Sequence, residues 1–321
     1  MRLARGVAVA TAPVAALACL PGSDEGPSGL QILRNLPMGL LGAIRRPLSH
    51  HAPSLCASLK VGPVDVILCG TCHVNSDSAS AARHIVESHA DRLGAVAVEC
   101  DSQTLELVSV ANEALRGLSA SRVREDGVEI VRQALFRSTA IQELARQAGR
   151  PLVRAEQLPM PAELSWHLQR DGALWGGEMA EASSAAAAVG ARVACLGTSA
   201  RLPERPPSLF SQLMAWVGVW LRARALAPGL DESSCDEAMV NASNEALLEM
   251  APALHRRHIQ DPDCRMAQGV RQLCDALAAD APRPASSAKA VVVVVGARHV
   301  PGISRMLLEG TESTLPVRET D

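Results

Sequence analysis

Tyrosine is absent from this 321-residue chain and phenylalanine occurs only twice. A core without large rings must be packed from Leu, Val, Ala and Met. Lysine is nearly missing too, at 60 and 289 only, so almost every basic residue is an arginine. There is no basic excess: the net charge is −3, which gives no electrostatic footprint for nucleic acid. No run reaches the roughly 20 apolar residues that a transmembrane helix requires. The nearest, Leu209 to Leu221, is too short, ends in Arg222 and Arg224, and reads as a core helix. The 9 cysteines are odd in number and mostly inside apolar runs, which argues for reduced buried thiols against a disulfide framework.

Acidic residues are scarce at the start. Residues 1–60 carry Arg2, Arg5, Arg34, Arg45, Arg46 and Lys60 against only Asp24 and Glu25. This composition fits an organelle transit peptide (mitochondrion or plastid), and a basic amphipathic helix over Leu30 to Arg46 favours that reading slightly. A secretory signal cleaved near Ala16 to Ala18, or a plain extension of a cytoplasmic protein, also fits. The expected division is a 1–60 extension followed by one 61–321 domain.

What the chain does carry is a repeated strand–turn–helix pattern. Val64-Asp65-Val66-Ile67-Leu68-Cys69 reads as a buried strand, stopped by Gly70 and followed by Thr71, Cys72 and His73. Helix-start residues Asn75 to Ser78 come next. The pattern returns as Val291 to Val295, Gly296, Ala297, Arg298 and His299, whereas a third copy ending Leu196-Gly197-Thr198-Ser199 has Ala200 in place of histidine. Between them, a strand at Ala95 to Val98 ends in Glu99, and helical patterns fill 104–118 and 123–148. Further helices follow near Gly177-Glu178, at 208–226 and 232–255, and after a break at Pro262 from 264 to 279. Alternating strands and helices predict an α/β fold: a mainly parallel central sheet with helices on both faces, plus a helical segment in mid-chain. Ligand sites in such sheets form outside the carboxyl ends of the strands, where both Gly-x-x-His turns fall.

Cys69-Gly70-Thr71-Cys72-His73 also matches the c-type haem attachment pattern. Haem is not expected, because Cys69 lies inside a strand and the second turn has no cysteine. A thioredoxin-type pair, which needs an exposed first thiol, is not expected either. Two imidazoles and a carboxylate with an open position make a catalytic metal site, suited to Zn, Mn or Co. His73 and His299 are the expected ligands, and Glu99 and Glu178 are the carboxylates that serve as ligand or general base. A lone histidine in such a turn reads more simply as a helix-terminus hydrogen bonder; the matched pair tips the balance toward a site. His84, His89, His167, His255 and His258 lie on polar helical stretches and are read as surface residues.

Gly70-Thr71-Cys72-His73-Val74, Val98-Glu99-Cys100-Asp101, Gly177-Glu178-Met179 and Val295-Gly296-Ala297-Arg298-His299-Val300-Pro301-Gly302-Ile303 together resemble the successive motifs of the TraB domain. The resemblance covers about residues 61–310, in the family's order. It implies kinship with the GumN and Tiki proteins, of which Tiki proteins are metal-dependent proteases with paired Gly-x-x-His motifs. It further implies a site containing His73, Glu99, Glu178, Asp263 and His299, a peptide or protein substrate, and for eukaryotic members association with mitochondria or plastids. Two departures stand out. Thr198-Ser199 replaces a family Asp-Arg, and Asp261-Pro262-Asp263 replaces a Glu-Arg-Asp, so two arginines are missing. Arg201 and Arg265 are the nearby substitutes. Two functions are therefore expected in competition: a metal-dependent hydrolase, and a non-catalytic regulatory or membrane-contact protein of an organelle that keeps the fold.

Overall fold

The five-valine run forms the middle of the sheet, because β-branched side chains suit a strand buried on both faces. The structure is a computed structural model that describes residues 55–72, 76–147, 149, 154–158, 160, 162–197, 218–219, 221–223, 225–227, 237–279 and 289–309. Its strands are β1 (Leu55–Val61), β2 (Val64–Thr71), β3 (Leu93–Val98), β4 (Arg192–Cys195) and β5 (Ala290–Gly296), in the spatial order β1-β2-β5-β3-β4. β1 pairs antiparallel with β2. Their turn uses Gly62 at a φ of 58°, a left-handed conformation that costs glycine little. The other three pairings are parallel. The fold is thus α/β with a mixed, mostly parallel sheet. Residues 55–60, which charge alone assigns to the extension, are part of that sheet.

Ten α-helices accompany the sheet, beside short helical stretches at 218–219, 221–223 and 225–226 among the described residues. They are α1 (Ser76–Ser88), α2 (Ser102–Leu115), α3 (Ala120–Arg137), α4 (Thr139–Gln147), α5 (Ala162–Asp171), α6 (Gly177–Ala188), α7 (Glu237–Met250), α8 (Pro252–His255), α9 (Asp261–Ala279) and α10 (Val300–Glu309). Side chains alternate across each strand, so the two faces carry different cores. Val66, Leu68, Val293 and Val295 pack against α9 and α10 through Met266, Val270 and Ile303. Ile67, Cys69, Val292 and Val294 pack against α1 and α6 through Val86, Met179 and Ala182. A third core, with Leu115, Val131, Leu135, Leu164 and Leu168, holds the mid-chain helices together.

Two helical expectations need correction. The pattern over 123–148 is two helices, because the Ser138 N–H closes α3 and the Ser138 hydroxyl then caps α4. Pro262 does not break the chain. α8 runs through a π-helical turn, Arg256–Gln260, into α9 with Pro262 in its first turn. Proline lacks an N–H and its ring collides with the carbonyl four residues back. The wider turn, in which the Asp261 N–H bonds to the Arg256 carbonyl five residues back, makes room for it. Asp263 is thereby held in the first turn of α9, the helix that packs on the Val66, Leu68, Val293 and Val295 face.

Candidate functional site

β5 and β3 lie side by side and end together, so the segments that follow them meet. After β3 comes Glu99; after β5 come Gly296, a 3-10 turn over Ala297–His299, and α10. The Gly296 N–H donates to Glu99 Oε2 at 2.6 Å, which fixes that carboxylate and leaves its other oxygen toward the histidine. His299 Nε2 stands 3.4 Å from Glu99 Oε1, and His299 Nδ1 stands 2.6 Å from Asp263 Oδ1. The imidazole is clamped between two carboxylates, and the three groups come from distant parts of the chain.

Gly302 makes that clamp possible. A β-carbon at residue 302 would overlap the Asp263 carboxylate, so only glycine lets α10 approach it. Burial surrounds the cluster: His299 is 8 % exposed and Asp263 is 2 % exposed, whereas the Glu99 side chain keeps 26 %. Burial by itself disfavours the imidazolium, but the Glu99 charge and the Asp263 hydrogen bond outweigh it and lift His299 to about 10. Burial pushes Asp263 above the usual carboxylate range, and the His299 hydrogen bond only partly offsets this. One imidazole between two carboxylates leaves the cluster short of positive charge.

His73 lies outside the described residues, so its ring position is not part of the geometry. The residues leading to it are. Thr71 Oγ1 donates to the Val295 carbonyl at 3.1 Å, and the Cys72 N–H donates to Ser78 Oγ at 3.1 Å. A β-carbon at Gly70 would come within 3.0 Å of the Ala297 Cα, so the two Gly-x-x-His turns are in direct contact. Cys72 packs with Ala297 and with Val240 of α7.

The other expected site residues are more scattered. Glu178 is 1 % exposed in the first turn of α6, behind the left-handed N-cap Gly176. No described hydrogen bond or ion pair joins it to His299. Arg265 is exposed on α9, while the arginine whose charge helps hold Asp263 ionised is Arg305. Arg201 lies outside the described residues. Cys69 is fully buried within β2, as expected of a core thiol.

The helical histidines correct the surface reading in four places. His167 is buried at 3 % exposure, and His89, His255 and His258 are half-buried. Burial lowers His258 from its ordinary value, helped by the charges of Arg257 and His299, which places its π-turn near the site. Sequence reasoning also missed Asn244 on α7, which donates to the Arg298 carbonyl. The available signal was an amide at helical spacing from the apolar residues Val240, Leu247 and Leu248.

Among the described residues, no three His, Cys, Asp or Glu side chains converge to hold a metal ion. Two donors do converge with suitable spacing. Bonds of about 2.0–2.2 Å at a tetrahedral ion set neighbouring donors roughly 3.3–3.5 Å apart. The 3.4 Å between His299 Nε2 and Glu99 Oε1 fits that edge. Among the described residues no helix is long and apolar enough to cross a membrane. Compared with protein-family models the chain matches none, and a search of curated proteins finds no match either.

Proposed function

We propose that this protein is a TraB-like, metal-dependent hydrolase acting on peptides. The observation that carries the proposal is the spacing of His299 Nε2 and Glu99 Oε1, each fixed from behind by another group. Asp263 sets the tautomer, because its carboxylate accepts the Nδ1–H hydrogen bond, so that Nε2 is the nitrogen that gives up its proton when an ion binds. The Gly296 N–H does the same for Glu99 by occupying Oε2. His73 is the proposed third donor; the contact of its turn with that of His299 supports this. A divalent ion held there supplies a water of lowered pKa. Glu99, whose side chain keeps 26 % exposure, or Glu178, buried in the first turn of α6, would then serve as the general base.

Peptide as the substrate class rests on the motif resemblance; an organelle address for the 1–60 extension rests on its basic, acid-poor composition as well, and residues 1–54 of it lie outside the described residues. A reporter fused behind that segment tests the address: it reaches a mitochondrion or plastid, or is secreted, or stays diffuse. One observation favours the second, non-catalytic reading: Arg265, the nearby substitute for the missing family arginine, is exposed on α9. Hydrolysis of a peptide library by full-length protein decides between the two. The proposal expects cleavage that stops with a chelator, returns with Zn, Mn or Co, and is lost in Glu99→Gln. Absence of ion-dependent cleavage by wild-type protein overturns it.

A further inference from the structure

Asn244 reaches the turn that carries His299 without belonging to the histidine–carboxylate cluster. Its Nδ2 donates to the Arg298 carbonyl at 2.9 Å, linking residues 54 positions apart. Its Oδ1 is buried and has no hydrogen-bond partner among the described residues. Val240, one helical turn earlier, packs on Ala297 and Cys72, so one face of α7 covers the residues leading into both Gly-x-x-His turns. A buried amide with one half used and the other unpaired stabilises the fold less than an apolar side chain of the same shape. Packing alone therefore does not favour asparagine here.

We propose that Asn244 is a positioning residue for His299. The Arg298 carbonyl belongs to the peptide unit that enters His299. Holding that oxygen restricts ψ of Arg298 and φ of His299, and so the direction of the His299 Cα–Cβ bond. The imidazole must meet Asp263 at 2.6 Å and Glu99 at 3.4 Å at once, which tolerates little rotation of that bond. The Asn244 amide supplies this restraint from α7, an element that carries neither carboxylate. The functional consequence rests on the proposed ion-binding role of His299 and Glu99; the restraint itself rests on the hydrogen bond.

Two variants of the full-length protein test this. Asn244→Leu keeps the shape and removes the donor, and Asn244→Gln keeps an amide on a longer stem. Hydrogen–deuterium exchange over 290–309, thermal unfolding and Co2+ affinity are measured for each. Asn244→Leu is expected to unfold at or above the wild-type temperature, to exchange faster over 297–301 alone, and to bind Co2+ about 10-fold more weakly. Asn244→Gln is expected to recover part of both losses. Unchanged exchange over 297–301 in Asn244→Leu overturns the proposal, as does general destabilisation shared equally by both variants. Wild-type protein that binds no Co2+ sinks the metal reading, and the local exchange then decides the positioning role by itself.

Discussion

His167 and His299 each place Nδ1 against an aspartate, at 2.8 Å from Asp171 and 2.6 Å from Asp263. Both rings are buried, at 3 % and 8 % exposure. The partners differ in origin. Trp166, His167, Arg170 and Asp171 lie in the last two turns of α5, with the Arg170 guanidinium over the Trp166 ring and bonded to Asp171. That group satisfies itself locally. His299 draws Asp263 from α9 and Glu99 from the end of β3, with Gly302 clearing the space and the Gly296 N–H holding Glu99. The contrast teaches that a buried His–Asp pair is not by itself a site. The second carboxylate, held at ligand spacing by long-range contacts, is what separates the two.

The largest expected effect comes from removing the carboxylate behind His299. Asp263→Ala should lower Co2+ affinity by about 10–100-fold, as loss of an outer partner of a ligating histidine does elsewhere. Asp171→Ala should leave it unchanged; calorimetric titration of both variants makes the comparison, and equal losses would erase the distinction. Next is Gly302→Ala, whose methyl must displace the Asp263 carboxylate, at a cost of about 1–3 kcal/mol in denaturant unfolding. Gly117, with open space around its Cβ position and a φ of 78°, is the control, since there only backbone strain opposes alanine.

A smaller effect is expected at the helical pair. Burial would raise Asp171, but hydrogen bonds from His167 and Arg170 outweigh it and hold the carboxyl below its usual value. A depressed folded-state pKa stabilises the protein above the unfolded value and loses that contribution as pH falls through the folded one. Asp171→Asn should therefore cost about 1 kcal/mol at neutral pH. Its difference from wild type should shrink below about pH 4, the unfolded carboxyl range. A gap that widens in acid would reverse the assignment. The smallest effect is at Arg265: exposed on α9, its replacement by Ala should change stability by less than about 0.5 kcal/mol and leave Co2+ affinity alone.

β2, β3 and β5 were readable because buried strands announce themselves by β-branched runs, and Gly70 and Gly296 fall within the last two residues of β2 and β5. The position of Glu99 followed directly, since parallel strands bring their carboxyl ends together. Asp263 was reachable only through the motif resemblance, because a helix 36 residues before His299 leaves no periodic signal that it faces the sheet. The hairpin of β1 with β2 was missed because the charge balance of 1–60 masked the alternation of Leu55, Ala57, Leu59 and Val61, whose side chains pack on the first core. The helical break assigned to Pro262 failed because a π-turn, which no residue spacing reveals, absorbs the missing N–H. His167 was misread as exposed because a polar helical stretch does not show which of its residues a neighbouring helix covers.

Metal content tests the central claim most directly. Full-length wild-type protein, His299→Ala and His167→Ala are each loaded with Zn2+ or Co2+, passed through metal-free buffer and measured by elemental mass spectrometry. The account predicts close to one ion per chain in wild type and His167→Ala, and essentially none in His299→Ala. Equal metal in all three, or none in the wild type, would contradict it.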